Sequence, residues 1–431
     1  MSTLALLGGK PVWKGPFPRY ITIGRPEKKA VLRVMDRGIL SDFFGSNCPE
    51  FYGGPEVQGF EREWARYFGA RHAVSMNSAT SCLYAAVGAL GISPGDEVIT
   101  TPYTMCATAS GILVYQGIPV FADIDPDTFT LDPRSVETRV TSRTRAIIVT
   151  HLFGHPADMR GIQEVARKHR LRVIEDAAQS PGALYHGRQS GTLSDIGVFS
   201  LNCHKVIQTG EGGMCTTNDP EMTLRLRLIR NHGEAVVGEG MKVKSLVNLL
   251  GWNYRLTEPL AAIGREQLKR LRGYNRRRWD LAARLSGRLR QLPGLQPPLV
   301  RPGCTHAYYV YAVKLDPAAL PGVPRDLFAR ALQAEGIPCS TGYMKPLYML
   351  PVYQKRVLFG KRGYPLRGAR HPFAYRQGLC PVTEEVEGRL INLHMIHDPL
   401  RPGDIDRIAD AFEKVTAHLD SLRRFRRTHA P

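Results

Sequence analysis

Arg172-Val-Ile-Glu-Asp-Ala-Ala-Gln179, then Gly197-Val-Phe-Ser200, Lys205 and Thr209-Gly-Glu-Gly-Gly213 decide how this chain folds. The two apolar runs read as short strands buried on both faces. The first delivers Asp176 at its carboxyl end, with Gln179 just beyond. The second leads into Lys205 and a glycine-dense turn. A lysine amine condenses with an aldehyde, and a carboxylate keeps a pyridine nitrogen protonated so that the ring draws electrons. Together with a phosphate-style loop, these are the parts needed to hold pyridoxal 5'-phosphate (PLP).

Outward from this stretch the alternation continues. Further strands are expected at 73–76, 97–101, 119–122 and 146–150, with helices over 81–90, about 106–116 and 160–169. Such β-α-β alternation predicts an α/β fold, a mainly parallel sheet between helices, with active groups at the carboxyl ends of the strands. Beyond Gly213 the sequence predicts a helix over 220–230, an aperiodic loop over 233–250 and two long helices over 257–272 and 275–291. Thr257 is the N-cap of the first of these, and Pro259 lies in its opening turn. A Pro-Gly-rich stretch at 293–303 marks a boundary, followed by a strand over 307–315 and helices over 325–335 and 403–417. The expected division is an N-terminal arm and helix (1–55), a cofactor-binding large domain (56–292) and a small α+β domain (293–431).

The 431 residues are 43% hydrophobic and 23% charged, ordinary for a globular enzyme. No apolar run is long enough to span a membrane, and the opening residues lack the pattern of a signal peptide, so a cytoplasmic enzyme is expected. Eight cysteines without a Cys-x-x-Cys pair suggest buried free thiols rather than zinc or disulfides. The net charge of +19 gathers at Arg265–Arg278 and Arg423–Arg427. It reads first as a solvated helix face, second as attraction for an anionic substrate and only third as nucleic-acid binding, since no recognition motif or interleaved aromatics accompany it.

Asn77-Ser-Ala-Thr-Ser81 stands between a strand and a helix, where backbone N–H groups at the positive helix end suit a phosphate. Ser and Thr there also simply cap helices. An isolated acid such as Asp176 could cap a turn, and turn chemistry alone explains the glycines beside Glu211.

Taken in order, several stretches resemble the sugar aminotransferases of the DegT/DnrJ/EryC1/StrS family. They are Gly95-Asp-Glu-Val-Ile99, Pro102-Tyr-Thr-Met-Cys-Ala-Thr108, Pro119-Val-Phe-Ala-Asp-Ile-Asp125, His151-Leu-Phe-Gly-His-Pro-Ala-Asp158, Glu175-Asp-Ala-Ala-Gln179, residues 199–213 and Asn253-Tyr-Arg255. The opening Leu6-Leu-Gly-Gly-Lys-Pro-Val12 resembles members acting on keto-cyclitols. The resemblance implies the fold-type I PLP architecture with a seven-stranded sheet. It implies that Lys205 forms the Schiff base, Asp176 holds the pyridine nitrogen and Gln179 meets the ring's O3′. Ala79, Thr80 and Ser200 would bind the phosphate, with Asn253 contributed by a neighbouring subunit of a homodimer. The implied reaction moves an amino group from L-glutamate or L-glutamine to a keto sugar or keto-cyclitol, as in antibiotic biosynthesis.

Three positions depart from the family pattern. Met105 stands where an aromatic residue usually stacks on the cofactor ring; the alternatives are Met105 itself, packing through its sulfur, and Tyr103. Tyr343-Met-Lys-Pro-Leu-Tyr348 and Asn392-Leu-His394 differ near the expected substrate, making Tyr343 and His394 candidate contacts or structural residues. His204 lies beside Lys205 rather than replacing it, as a histidine does in dehydratase relatives. Competing readings are a PLP oxidase or eliminase on the same scaffold, and a non-catalytic regulator whose basic surface binds DNA.

Overall fold

A computed structural model describes residues 3–360, 362–366 and 375–428. Its main sheet is built from β1 (His72–Met76), β2 (Glu97–Thr100), β3 (Ile118–Phe121), β4 (Thr144–Thr150), β5 (Arg172–Asp176), β8 (Ile196–Ser200) and β9 (Gly213–Thr217). A short ribbon of β6 (Leu184–Tyr185) and β7 (Arg188–Gln189) interrupts the run. The sheet order is β1-β9-β8-β5-β4-β2-β3. All the neighbours run parallel except β9, which is antiparallel to both β1 and β8. Every strand residue of β2, β3, β8 and β9 is buried, which is why these strands are mostly apolar rather than alternating, with polar exceptions such as Glu97 and Thr216 held by hydrogen bonds.

Helices α1 (Arg25–Arg37), α2 (Pro55–Phe68), α3 (Ala79–Ala89), α4 (Ala107–Val114), α5 (Pro133–Glu137), α6 (Met159–His169), α7 (Pro220–Arg230) and α8 (Gly233–Gly238) surround the sheet. A second, four-stranded sheet of order β10-β11-β13-β12 uses β10 (Leu295–Gln296), β11 (Tyr311–Leu315), β12 (Ser340–Thr341) and β13 (Leu390–Leu393). It packs with α10 (Arg325–Ala334) and, after the short α11 (Pro351–Gln354) and α12 (Pro381–Glu387), with α13 (Pro402–Ala417) in one apolar core, which also takes in Leu4 and Trp13 from the N-terminal segment.

The structure corrects several expectations. The two helices expected at 257–272 and 275–291 are one, α9 (Glu258–Leu289). Gly273 costs a helix about 1 kcal/mol, but packing against α1, α2 and α13 holds the helix through it. The strand expected from 307 begins only at Tyr311, because Tyr308 has a left-handed backbone (φ 47°) and its N–H donates to His306 Nδ1. The first part of the expected 233–250 loop is α8, and the seventh strand, β9, follows directly on the glycine turn.

The basic run is only partly a solvated face: Lys269, Arg272 and Arg276 are exposed, but other members are engaged. Arg265 pairs with Glu56 at 2.7 Å and Glu63 at 2.6 Å, Arg270 pairs with Glu27, and buried Arg278 donates to the Tyr308 carbonyl at 2.9 Å. These arginines hold α9 to its neighbours. Nor are the thiols uniformly buried: Cys82, Cys215 and Cys380 are, whereas Cys203 is exposed. Among the described residues, no helix is long and apolar enough to cross a membrane, and no cluster of His, Cys, Asp and Glu suits a metal ion.

Candidate active site

The carboxyl ends of the parallel strands gather the chemistry. Asp176 closes β5, Ser200 closes β8, Thr150 closes β4, and α3 starts just after β1. Asp176 is 4% exposed. Its Oδ2 accepts the Thr108 hydroxyl at 2.8 Å and its Oδ1 accepts Ala178 N–H at 3.2 Å. Burial pushes this carboxyl above its ordinary range; the two hydrogen bonds and the charge of Lys205 pull it back.

Lys205 follows β8, and its Nζ lies 4.2 Å from the centroid of the Tyr309 ring. Burial brings its amine down to about 8, with the Asp176 charge opposing the fall. A lysine so placed holds far more neutral amine near pH 7 than an ordinary lysine does, and the neutral form is the one that attacks carbonyls.

Gln179 is held at both ends. Its Oε1 accepts Phe153 N–H at 2.7 Å and its Nε2 donates to the Tyr343 hydroxyl at 3.0 Å, leaving one amide hydrogen for a further acceptor. Tyr343 N–H in turn donates to the Tyr103 hydroxyl at 3.2 Å. Tyr103 is wholly buried, packed edge-on against Phe153 and Tyr343, while Met105 is 51% exposed.

At the head of α3, Ser78 caps the helix by accepting Ser81 N–H on its hydroxyl at 3.0 Å. The N–H groups of Ala79 and Thr80 have no partner within the helix and point past its end. Gly213 passes so close that a Cβ there would stand 2.5 Å from the Ser78 carbonyl and 2.7 Å from Ala79 N. Ser200 is buried and its hydroxyl accepts Asn202 N–H at 3.3 Å. The exposed Asn253 uses its carbonyl to accept Asn77 Nδ2 at 3.4 Å, beside the same helix end.

Beneath the site, fully buried His151 and Glu175 meet at 2.8 Å. His151 Nδ1 accepts Ala157 N–H, so Nε2 carries the proton given to Glu175. Glu175 also accepts Gly191 N–H, Leu193 N–H and the Ser194 hydroxyl, fixing the strand end that presents Asp176.

His394 stands apart from this group. Its Nε2 meets the Ser340 hydroxyl at 3.1 Å, and burial together with His204 lowers its basicity. An open cleft at the other end of β5, lined by Arg167, Arg172, Asp195 and Lys244, contains none of these side chains. Sequence reasoning missed Thr108, Tyr309 and the Phe153 amide.

The chain matches the DegT/DnrJ/EryC1/StrS aminotransferase family over residues 46–413. It is 36% identical to the spore coat polysaccharide biosynthesis protein SpsC of Bacillus subtilis, covering 92% of this chain and 96% of that protein. It is 35% identical to the L-glutamine:2-deoxy-scyllo-inosose aminotransferase of Streptomyces fradiae, covering 97% and 98%. Among solved structures, S. venezuelae DesV in complex with a ketimine intermediate superimposes with a TM-score of 0.76 at 34% identity, covering 90% of this chain and 94% of that one. The chain thus belongs to the DegT/DnrJ/EryC1/StrS family and is an aminotransferase.

Proposed function

We propose that this aminotransferase binds PLP in the crevice between Lys205, Asp176 and the head of α3, and moves an amino group from L-glutamine or L-glutamate to a ketone on a sugar or cyclitol ring. The observation that carries the reading is a lysine amine lowered to about 8 beside a buried carboxylate, at strand ends that also present a helix terminus whose Ala79 and Thr80 N–H groups have no partner within the helix. The fit is direct. The lysine suits an aldehyde, Asp176 a pyridinium, and the free N–H groups of Ala79 and Thr80, with Ser200, a phosphate. The backbone contact at Gly213 keeps side-chain bulk out of that cradle.

Bound PLP supplies an electron sink for the carbanion formed when a proton leaves the donor's α-carbon. Lys205, once its nitrogen is free, is the base that takes that proton and later returns one. Asp176 would hold the ring nitrogen as a pyridinium, and Gln179 would offer its remaining amide hydrogen to the ring oxygen. Met105, half exposed at the mouth, is free to cover the ring where Tyr103 is enclosed. Tyr343 and His394 are proposed as acceptor contacts. Asn253 is proposed to serve the phosphate of a second copy in a homodimer, consistent with Phe44 at 58% and Trp252 at 37% exposure near it. We keep the division at 55 and 292 as a proposal for domain boundaries.

The test is a half-reaction. Protein loaded with PLP and given L-glutamine or L-glutamate alone should convert the visible band to the amine form of the cofactor without consuming oxygen. Lys205→Ala should lack the band. Oxygen uptake in step with donor loss would favour an oxidase and overturn the reading. Turnover of a free keto-cyclitol against a nucleotide-linked ketosugar then identifies the acceptor.

A further inference from the structure

Three buried threonine hydroxyls run in line to the carboxylate of Asp176. Thr150 Oγ1 lies 3.4 Å from Thr104 Oγ1, Thr104 Oγ1 lies 3.2 Å from Thr108 Oγ1, and Thr108 Oγ1 lies 2.8 Å from Asp176 Oδ2. The three threonines are at most 2% exposed. They come from three places in the fold: the end of β4, the segment after β2 and the first turn of α4. Thr150 is also the register partner of Asp176 across β4 and β5.

The direction of this chain is fixed by proton counting. An ionised carboxylate only accepts, so Thr108 must donate to it. A hydroxyl has one proton, so Thr108 can only accept from Thr104, and Thr104 from Thr150. Each bond polarises the next in a low-dielectric setting, so the three O–H groups donate head to tail, with Thr108 alone donating to the carboxylate. The distances lengthen away from Asp176, so the contribution declines in the same order.

We infer that Thr108, Thr104 and Thr150 are positioning residues that hold Asp176 ionised and aimed within an apolar crevice. The inference rests on the reading of the crevice as a PLP site. The other groups facing Asp176 are the Ala178 N–H, the charge of Lys205, the neutral His151 ring and the Tyr343 phenol. None of these side chains is hydrogen-bonded to the carboxylate among the described residues, so the hydroxyl chain and one backbone amide are its direct donors. Losing the Thr108 proton therefore leaves Oδ2 without a donor and favours the protonated acid, which cannot pair with a pyridinium.

The experiment measures PLP binding to apo-protein as a function of pH, read by absorbance rather than by turnover. Thr108→Val removes the hydroxyl at nearly constant volume, and Thr108→Ser restores it. The Val variant should bind PLP about tenfold more weakly. Its acid limb, where binding fails as Asp176 protonates, should move to higher pH. Thr108→Ser should track the parent, Thr104→Val should move the limb less, and Thr150→Val least. Melting curves identify any variant that fails to fold, and Thr104→Val then carries the test. A parent that does not bind PLP would refute the functional reading itself. A parent that binds, with Thr108→Val or Thr104→Val sharing its acid limb, would refute the hydroxyl chain alone. So would a Thr108→Ser variant behaving like Thr108→Val, which would assign the effect to the lost methyl packing.

Discussion

The amine of Lys205 lies over the face of the Tyr309 ring, 4.2 Å from its centroid. An ammonium there gains roughly 0.5–2 kcal/mol from the ring quadrupole, and the neutral amine gains none. Tyr309 therefore works against the burial that depresses Lys205. Tyr309→Leu should lower the amine below about 8, and Tyr309→Phe should leave it in place. The measurement is the pH midpoint for the rate at which apo-protein captures PLP, since only the neutral amine attacks. Coincident midpoints for the parent and the leucine variant would show that the ring has no such effect.

The same lysine makes a stability prediction. Its folded value of about 8 lies below the ordinary 10.5. Between those values the unfolded chain holds a proton that the native state has shed, so stability rises with pH across that window. Below about 8 the native state carries a buried charge at a steady cost. Apo-protein with Lys205→Met should melt higher than the parent at pH 7, and the gap should narrow as pH climbs toward 10.5. A parent that melts higher at pH 7 would mean that the amine is held by contacts stronger than the Tyr309 face.

Asp176 carries the opposite sign. A carboxyl raised by burial gives stability that is complete below its unfolded value and is lost as pH rises through its folded value. At pH 7 the ionised group thus costs stability and is retained for chemistry. Asp176→Asn should keep or raise the melting temperature while turnover falls by about a hundredfold or more. A large drop in melting temperature would instead make the carboxylate a structural element.

Much of this was legible from the chain. Lys205, Asp176 and Gln179 could be placed because each follows an apolar run too short for a helix, and parallel strands deliver their ends to one side. The contacts that tune them were not. Thr108, Phe153 and Tyr309 act across sequence separations that no local pattern records, and Tyr309 was read as part of a strand that begins at Tyr311. The continuity of α9 was hidden because Gly273 looks like a break until the helices on both sides are in view. The arginine run looked solvated because its partners, Glu27, Glu56 and Glu63, lie some two hundred residues away.

Gly213 offers the most direct test of the phosphate cradle. Its backbone is not in the left-handed region, so glycine is needed for space rather than for conformation. An added Cβ would meet the Ser78 carbonyl carbon and oxygen at 2.5 Å and Ala79 N at 2.7 Å. All three are main-chain atoms, so no rotamer change relieves the clash, and β9 is held to β1 by the pairing of Gly213 with Met76. The head of α3 must therefore give way. Gly213→Ala should destabilise the fold by about 1–3 kcal/mol. It should also weaken PLP binding at least tenfold, because N–H groups aimed at a phosphate lose their worth when displaced. Pyridoxal, which lacks the phosphate, separates the two effects. If the damage is to the cradle, pyridoxal binding should change little while PLP binding falls. Equal losses for both ligands would place the disturbance at the ring pocket around Lys205 and Asp176 instead.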